Sequence, residues 1–321
     1  MKSTRQKKGY IKATFTVFWI TVGLLILPTL VSAASYSVSL QKGGYYQKID
    51  VYEKDIWNNT ISSINGPEYY FEGDSNITGS ESKGIIRSWY QDTVNTSDLF
   101  FNLLFPQEQL LNITFSPFNK TYIDENYNTT YKINLVLISK WGFNSSALPE
   151  NATEPNNLIY VLRDPIGFKT LLDDYNAYVS NVSTYPFIDL VAFNIEDFLF
   201  NLLITQMSVG APIESYLSEM VDDLNNENVT SEGNTLALQL RGETNYSVQI
   251  SFGSTGFPSS ITFLDSENNV FYKIITYDTE WTVWLIIGIV GASIITVVIY
   301  AFYRRRKRMK RFEESLERMK S

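Results

Sequence analysis

Polar and apolar positions alternate at both ends of the central chain and follow a helical period between them. Tyr36, Val38 and Leu40 alternate with polar neighbours, and positions 45–53 continue after Lys42, Gly43 and Gly44. That pattern predicts a hairpin with a glycine turn. Positions 61–64, 69–72 and 84–90 are further short strand candidates. Tyr131, Ile133, Leu135 and Leu137 fall on one face of a strand over 131–137. Positions 98–111 are apolar but broken at Pro106, which leaves room for a short helix.

A Pro-, Asn- and Ser-rich stretch over 142–157 reads as a loop. A short strand at 158–163 follows. Asp164 and Pro165 then predict an N-cap and a first helical residue for a helix over 166–179. Positions 186–207 (PFIDLVAFNIEDFLFNLLITQM) are apolar on nearly all sides. Asp189, Glu196 and Asp197 argue against a bilayer location, so this segment is expected to be a buried core helix. Ile213, Tyr216, Leu217, Met220, Val221 and Leu224 mark an amphipathic helix over 212–225. The order then returns to strands at 236–240, 246–252, 260–265 and 270–277, an expected four-stranded meander. Strands, helices, then strands predict an α+β fold, with antiparallel sheet packed on a buried hydrophobic helix. No internal repeat is visible.

Two uncharged apolar runs flank this region. The first, 13–34, follows Lys2, Arg5, Lys7, Lys8 and Lys12 and ends on small residues. It predicts a signal peptide cut between Ala33 and Ala34, with an uncleaved anchor as the rival reading. The second, 281–303 (WTVWLIIGIVGASIITVVIYAFY), is long enough to span a bilayer. Trp281 and Trp284 at one end and Tyr300 and Tyr303 at the other form an expected interface belt. Arg304, Arg305 and Arg306 open a basic tail that stops transfer and keeps the C-terminus inside. The predicted layout is a signal segment 1–33, an outer domain 34–280, one C-terminal transmembrane helix 281–303 and a cytoplasmic tail 304–321. Within the outer domain, 34–141 is read as β-rich, 158–230 as helical and 231–278 as the meander. Gly288, Ala292 and Thr296 recur every fourth residue, a spacing that permits a transmembrane dimer.

Charge reinforces this layout. The 321 residues carry a net charge of −8, which divides into +5 over 1–13, −19 over 35–280 and +6 over 304–321. The acidic domain would repel nucleic acid. The basic tail would attract anionic headgroups. The chain contains no Cys and no His. That excludes a disulfide framework, a thiol nucleophile, a Ser-His-Asp triad and the usual zinc sites.

Eleven Asn residues begin N-x-S/T sequons in the outer domain: Asn58, Asn76, Asn95, Asn112, Asn119, Asn128, Asn144, Asn151, Asn181, Asn228 and Asn245. They predict N-glycosylation on a secreted face. The layout as a whole resembles the single-span surface glycoproteins of archaea. That resemblance implies a cell-surface compartment and no particular activity. The run Gly256-Phe257-Pro258-Ser259-Ser260-Ile261-Thr262-Phe263-Leu264-Asp265, within 233–277, is similar to hairpins of LolA-type lipoprotein carriers. It implies a curved sheet that holds acyl chains.

Other candidate chemistry is sparse. Asp265, Glu267 and Asn269 are spaced like calcium-loop ligands, but Val270 and Thr276 stand where an EF-hand needs Gly and Glu. Asp222, Asp223, Asn225 and Glu227 read as a solvated helix end. Asp189 and Glu196 share a helix face and are expected along its wet edge. Tyr69, Tyr70 and Phe71, or Trp89 and Tyr90, offer aromatic surface for sugars, though strand aromatics usually pack. No phosphate loop and no dinucleotide fingerprint occurs. The expectation is a non-enzymatic, membrane-anchored surface glycoprotein without a cofactor, used for binding a surface protein, glycan or lipid or for envelope structure. The alternatives are a hydrophobic-ligand carrier and an anchored hydrolase working through paired carboxylates.

Overall fold

The first and last long strands of the described chain, at 43–52 and 270–277, lie side by side at the centre of one sheet. The computed structural model describes residues 36–38, 40, 42–61, 67, 77–104, 119–140, 143, 156–183, 190–205 and 207–277. The strands are β1 (Gly43–Tyr52), β2 (Glu81–Asn95), β3 (Thr130–Lys140), β4 (Asn156–Leu162) and β5 (Met207–Ser208), then β6 (Val229–Glu232), β7 (Thr235–Arg241), β8 (Asn245–Phe252), β9 (Pro258–Leu264) and β10 (Val270–Tyr277). Their order across the sheet is β5-β4-β3-β2-β1-β10-β9-β8-β7-β6. Every neighbouring pair is antiparallel except β4 with β5. Tyr46 stands opposite Tyr277 and Ile49 opposite Ile274, so the early and late strand regions share one sheet.

Six α-helices accompany the sheet among the described residues: α1 (Lys54–Thr60), α2 (Thr96–Leu99), α3 (Lys120–Asn126), α4 (Gly167–Val182), α5 (Ile195–Thr205) and α6 (Ile213–Leu224). A turn of π-helix, Phe100–Leu104, continues α2. The chain is therefore α+β. The long helices bury one stripe each. Phe168, Leu171, Leu172, Tyr175 and Val179 of α4 join Phe198, Leu199, Leu202 and Leu203 of α5 in one core. Tyr216, Leu217 and Met220 of α6 belong to the same core.

The sheet curls until its β5 end meets the β8–β9 turn on the other arm. Val209, just past β5, donates its N–H to the Gly256 carbonyl in the β8–β9 turn at 3.3 Å. The Ser208 hydroxyl donates to the same carbonyl. Gly256 has φ +87°, and a Cβ there would meet the Val209 carbonyl oxygen at 2.0 Å. Ile159 of β4 and Ile261 of β9 face one interior gap despite lying on opposite arms of the sheet. Inside the curl, Val38 and Leu40 cover Val136, Ile138, Ile159 and Val161. Leu40 is held there by the Trp89 Nε1–H, which donates to its carbonyl at 3.2 Å. Tyr36 sits edge-on against Tyr216 with ring centres 5.0 Å apart.

Several expected elements change. The segment around Tyr36–Leu40 does not pair with β1 as a hairpin. Ser37 bridges to Ala211 instead. Gly43 and Gly44 lie inside β1, opposite Ile86 and Ile85, and form no turn. Within the described part of the expected helix over 186–207, only α5 is helical, and residues 190–194 carry no regular secondary structure. Asn176 of α4 explains this: its amide nitrogen donates to the Phe193 carbonyl at 2.8 Å, and its oxygen accepts the Phe193 N–H at 2.9 Å. A side-chain clamp thus takes the place of helical bonds. Asn194 then accepts the Asp197 N–H at 2.7 Å, which starts α5. The helix expected to start at Pro165 begins at Gly167, with Ile166 as its N-cap residue. The meander β7-β8-β9-β10 stands as expected, and β6 extends it.

No helix among the described residues is long and apolar enough to cross a membrane. The Ala33/Ala34 junction, the run 281–303 with Trp281, Trp284, Tyr300 and Tyr303, and the tail from Arg304, Arg305 and Arg306 lie outside the described residues. So do Asn76, Asn112, Asn144, Asn151, Asp189, Tyr69, Tyr70 and Phe71.

Candidate functional site

A cleft with a mixed lining lies where the start of β3, the end of β4 and the first turn of α4 meet. It encloses about 250 Å³ and is lined by Thr129, Thr130, Tyr131, Lys132, Asp164 and Thr170, among others. Asp164 helps to shape its rim, since its Oδ1 accepts the Ile166 N–H at 3.3 Å. Beside the cleft, Asp174 of α4 gathers three hydroxyls on Oδ2. Thr129 donates at 3.1 Å, Thr96 at 3.4 Å and Tyr131 at 3.5 Å.

The helical repeat puts Asp174 between Leu171 and Tyr178, three and four residues away, on the buried side of α4. Burial raises the Asp174 carboxyl above its ordinary range, against the pull of the three hydroxyls. Burial first, and then the Asp174 charge, holds the Tyr131 phenol protonated far above neutrality. The cluster is thus a fixed set of donors on one acceptor. It orients hydroxyls and presents no activated nucleophile. The signal for it in the sequence is an acid inside an apolar helical stripe.

The acids singled out beforehand fall elsewhere. Glu196 was expected at a wet edge, yet it is only 7% exposed. Its Oε1 accepts the Asn228 Nδ2–H at 2.6 Å, which compensates part of the cost of burial. Asp197 is exposed. The Asp265 turn uses its carboxylate locally. Oδ1 accepts the N–H groups of Glu267 and Asn269, both at 2.9 Å, and Oδ2 accepts Asn269 Nδ2 at 3.1 Å. Bonds from Asn269 and then Glu267 hold that carboxyl below its ordinary range. Asp222 and Asp223 lie in the last turn of α6, which ends on Asn225 at φ 47°. Among the described residues no three acidic side chains converge as a metal site would require.

Seven sequon Asn residues are described. Asn58, Asn95, Asn128, Asn181, Asn228 and Asn245 are exposed, and Asn119 is half-buried. Asn119 caps α3 through Oδ1, which accepts the Tyr122 N–H at 2.8 Å. Its amide nitrogen is not used by that cap. Asn181 donates Nδ2 to the Tyr127 hydroxyl at 2.7 Å. Asn95 pairs with Thr130 across β2 and β3, and Asn128 precedes Thr129, so both stand at the rim of the cleft. Trp89 and Tyr90 are exposed on β2.

The gap beside α5, lined by Leu203, Ile204, Met207, Tyr45, Ile159 and Ile261 among others, holds about 40 Å³. That is room for one or two waters and too small for an acyl chain. The chain matches no family model, no curated protein and no solved structure.

Proposed function

We propose that the chain is a membrane-anchored, N-glycosylated cell-surface protein whose outer α+β domain has a binding or envelope-structural role. The observation that carries this reading is where the sequons fall. Six of the seven described ones put their Asn on exposed surface, at strand ends, helix ends and turns. An enzyme that attaches glycans needs that exposure. The uncharged run 281–303 with its basic C-terminal flank supplies the anchor. The cleft lined by Thr129, Thr130, Lys132, Asp164 and Thr170 is where a polar ligand would sit on this domain. It offers a lysine, an exposed carboxylate and threonine hydroxyls, the donors and acceptors that peptide or sugar groups use.

The test is glycopeptide mass spectrometry of protein from native membranes, combined with protease protection of sealed vesicles. Modified Asn at most exposed sequons, and a domain cleaved only from the outer side, are the expected outcomes. Unmodified Asn throughout would overturn the glycoprotein reading.

A further inference from the structure

β10 ends at Tyr277, and Asp278, Thr279 and Glu280 alone separate it from the apolar run that begins at Trp281. Four Cα steps reach at most about 14 Å. On the anchored reading above, from which this inference starts, Tyr277 therefore stands within that distance of the span.

The neighbours of Tyr277 on the outer face of the sheet differ from the rest of the domain. Tyr46 lies directly across on β1, with the two rings stacked at 5.7 Å. Lys83 follows on β2, its Nζ 5.9 Å from the Tyr46 ring centre. One residue pair further on, Lys48 stands opposite Ile275 on one side and Glu81 on the other. The alternation of strand side chains puts Lys48 on the same face as Tyr46. Arg87, in the β2 bulge, donates Nε to Ser139 Oγ at 3.1 Å. Ser139 is the cross-strand partner of Ile85, so Arg87 reaches that face as well. Glu81 is the acid among them, and its Oε1 accepts the Tyr277 hydroxyl at 2.6 Å.

Among the described residues, Lys48, Lys83, Arg87 and the acid Glu81 are thus placed around a half-buried aromatic pair, in a domain that carries 12 Lys/Arg and 31 Asp/Glu over 35–280. Asp278 and Glu280 follow Tyr277 in the sequence, and together with Glu81 they balance the three cations, so it is the placement of the cations around the rings and not a net positive charge that marks this patch. Aromatic rings that are apolar in body and polar at the tip suit the level of lipid headgroups, and basic side chains suit lipid phosphate.

We infer that this outer-face patch around Tyr46 and Tyr277 docks on the anionic headgroup surface of the bilayer that anchors the chain. Tyr46 and Tyr277 seat at the interface. Lys48, Lys83 and Arg87 meet the phosphates. The domain is then held in one orientation and does not swing on its three-residue connection.

The full chain has no Cys, so single-cysteine variants take one fluorophore each. Three positions suffice: Ile85→Cys in the patch, Glu267→Cys in the turn at the far end of β10, and Ala292→Cys in the apolar run. Each labelled chain is reconstituted in phosphatidylcholine vesicles with or without phosphatidylglycerol and exposed to a headgroup-bound quencher or an aqueous one. The label at 292 is expected to be shielded from the aqueous quencher. The label at 85 is expected to be quenched from the headgroups at least about fivefold more than that at 267 when phosphatidylglycerol is present. Lys48→Gln and Lys83→Gln should each lower the docked-to-undocked ratio about fivefold, and salt should act in the same direction. Equal quenching at 85 and 267 with 292 shielded would overturn the docking and leave the anchor standing. A label at 292 open to water would overturn the anchor, and the docking with it. The comparison of vesicle types on the Ile85→Cys chain needs no charge variant, so a misfolded lysine variant would not blunt the test.

Discussion

Closure of the curled sheet depends on a backbone contact that only glycine permits, and Gly256→Ala tests it. A methyl at that position meets the Val209 carbonyl oxygen at 2.0 Å, and φ +87° is a conformation that side chains disfavour. The unfavourable φ alone costs about 1–2 kcal/mol. Relieving the contact requires the two segments to part by more than about 1 Å, since carbon and oxygen do not approach much below 3 Å. That separation breaks the bonds from Val209 N–H and the Ser208 hydroxyl to the Gly256 carbonyl. Two neutral hydrogen bonds contribute about 0.5–1.5 kcal/mol each. The expected loss is roughly 2–5 kcal/mol.

Urea unfolding of the full chain in detergent, followed by tryptophan fluorescence, reads that loss directly. Gly253→Ala in the same turn is the control. Its methyl would find the Phe257 carbonyl oxygen at an ordinary 3.7 Å, and no left-handed φ is required. It should stay within about 0.5–1 kcal/mol of the parent. A Gly256→Ala protein as stable as the parent, or a Gly253→Ala protein equally damaged, would refute the reasoning that the two arms of the sheet meet here.

Three further outcomes are expected. Asn228→Ala should cost about 1.5–3 kcal/mol by leaving the buried Glu196 carboxylate without the amide, whereas Thr230→Ala removes the same sequon but keeps the bond and should cost little, as paired unfolding curves would show. Leu202→Ala should destabilise by about 2–5 kcal/mol in chemical unfolding, because this α5 side chain is only 1% exposed in the shared core. Asp174 and Asp265 should give opposite pH slopes against their Asn variants. The raised Asp174 binds its proton more tightly in the native state, so the parent gains on Asp174→Asn as pH falls from neutral through the carboxylate range; the lowered Asp265 binds its proton less tightly, so the parent loses to Asp265→Asn over that fall. Unfolding curves at a series of pH values check both signs.

The parts of this fold that were legible in advance are those whose bonds are local. β7 to β10 follow one another through short turns, and the Asp265 carboxylate closes the last turn on amides two and four residues away. α6 shows its stripe plainly, since Ile213, Tyr216, Leu217, Met220 and Leu224 all bury. The failures share a different cause. The apolar pattern of α5 continues through residues 190–194, which are not helical. What unwinds residues 190–194 is a pair of bonds from Asn176, together with the Tyr175 hydroxyl on the Val191 carbonyl at 3.2 Å. Those side chains sit on another helix, and no pattern within the run points to them.

The same division governs the two regions that matter for function. The cleft assembles from β3, β4 and α4, and the only trace readable in the sequence is of the cluster beside it, an acid on the buried stripe of α4. Asp174 remains there at the cost of burial because Thr96, Thr129 and Tyr131 arrive from other elements to donate to it. The patch at the end of β10 is less local still. The domain totals −19, a figure under which any basic surface disappears, and Lys48, Lys83 and Arg87 stand scattered among 12 cations along the chain. Pairing the first strand with the last brings them together beside Tyr277. Placing the N-terminal strand against the strand that leads into the apolar run thus does two things at once. It closes the core at the centre of the sheet, and it gathers three cations around a stacked aromatic pair at the end of β10.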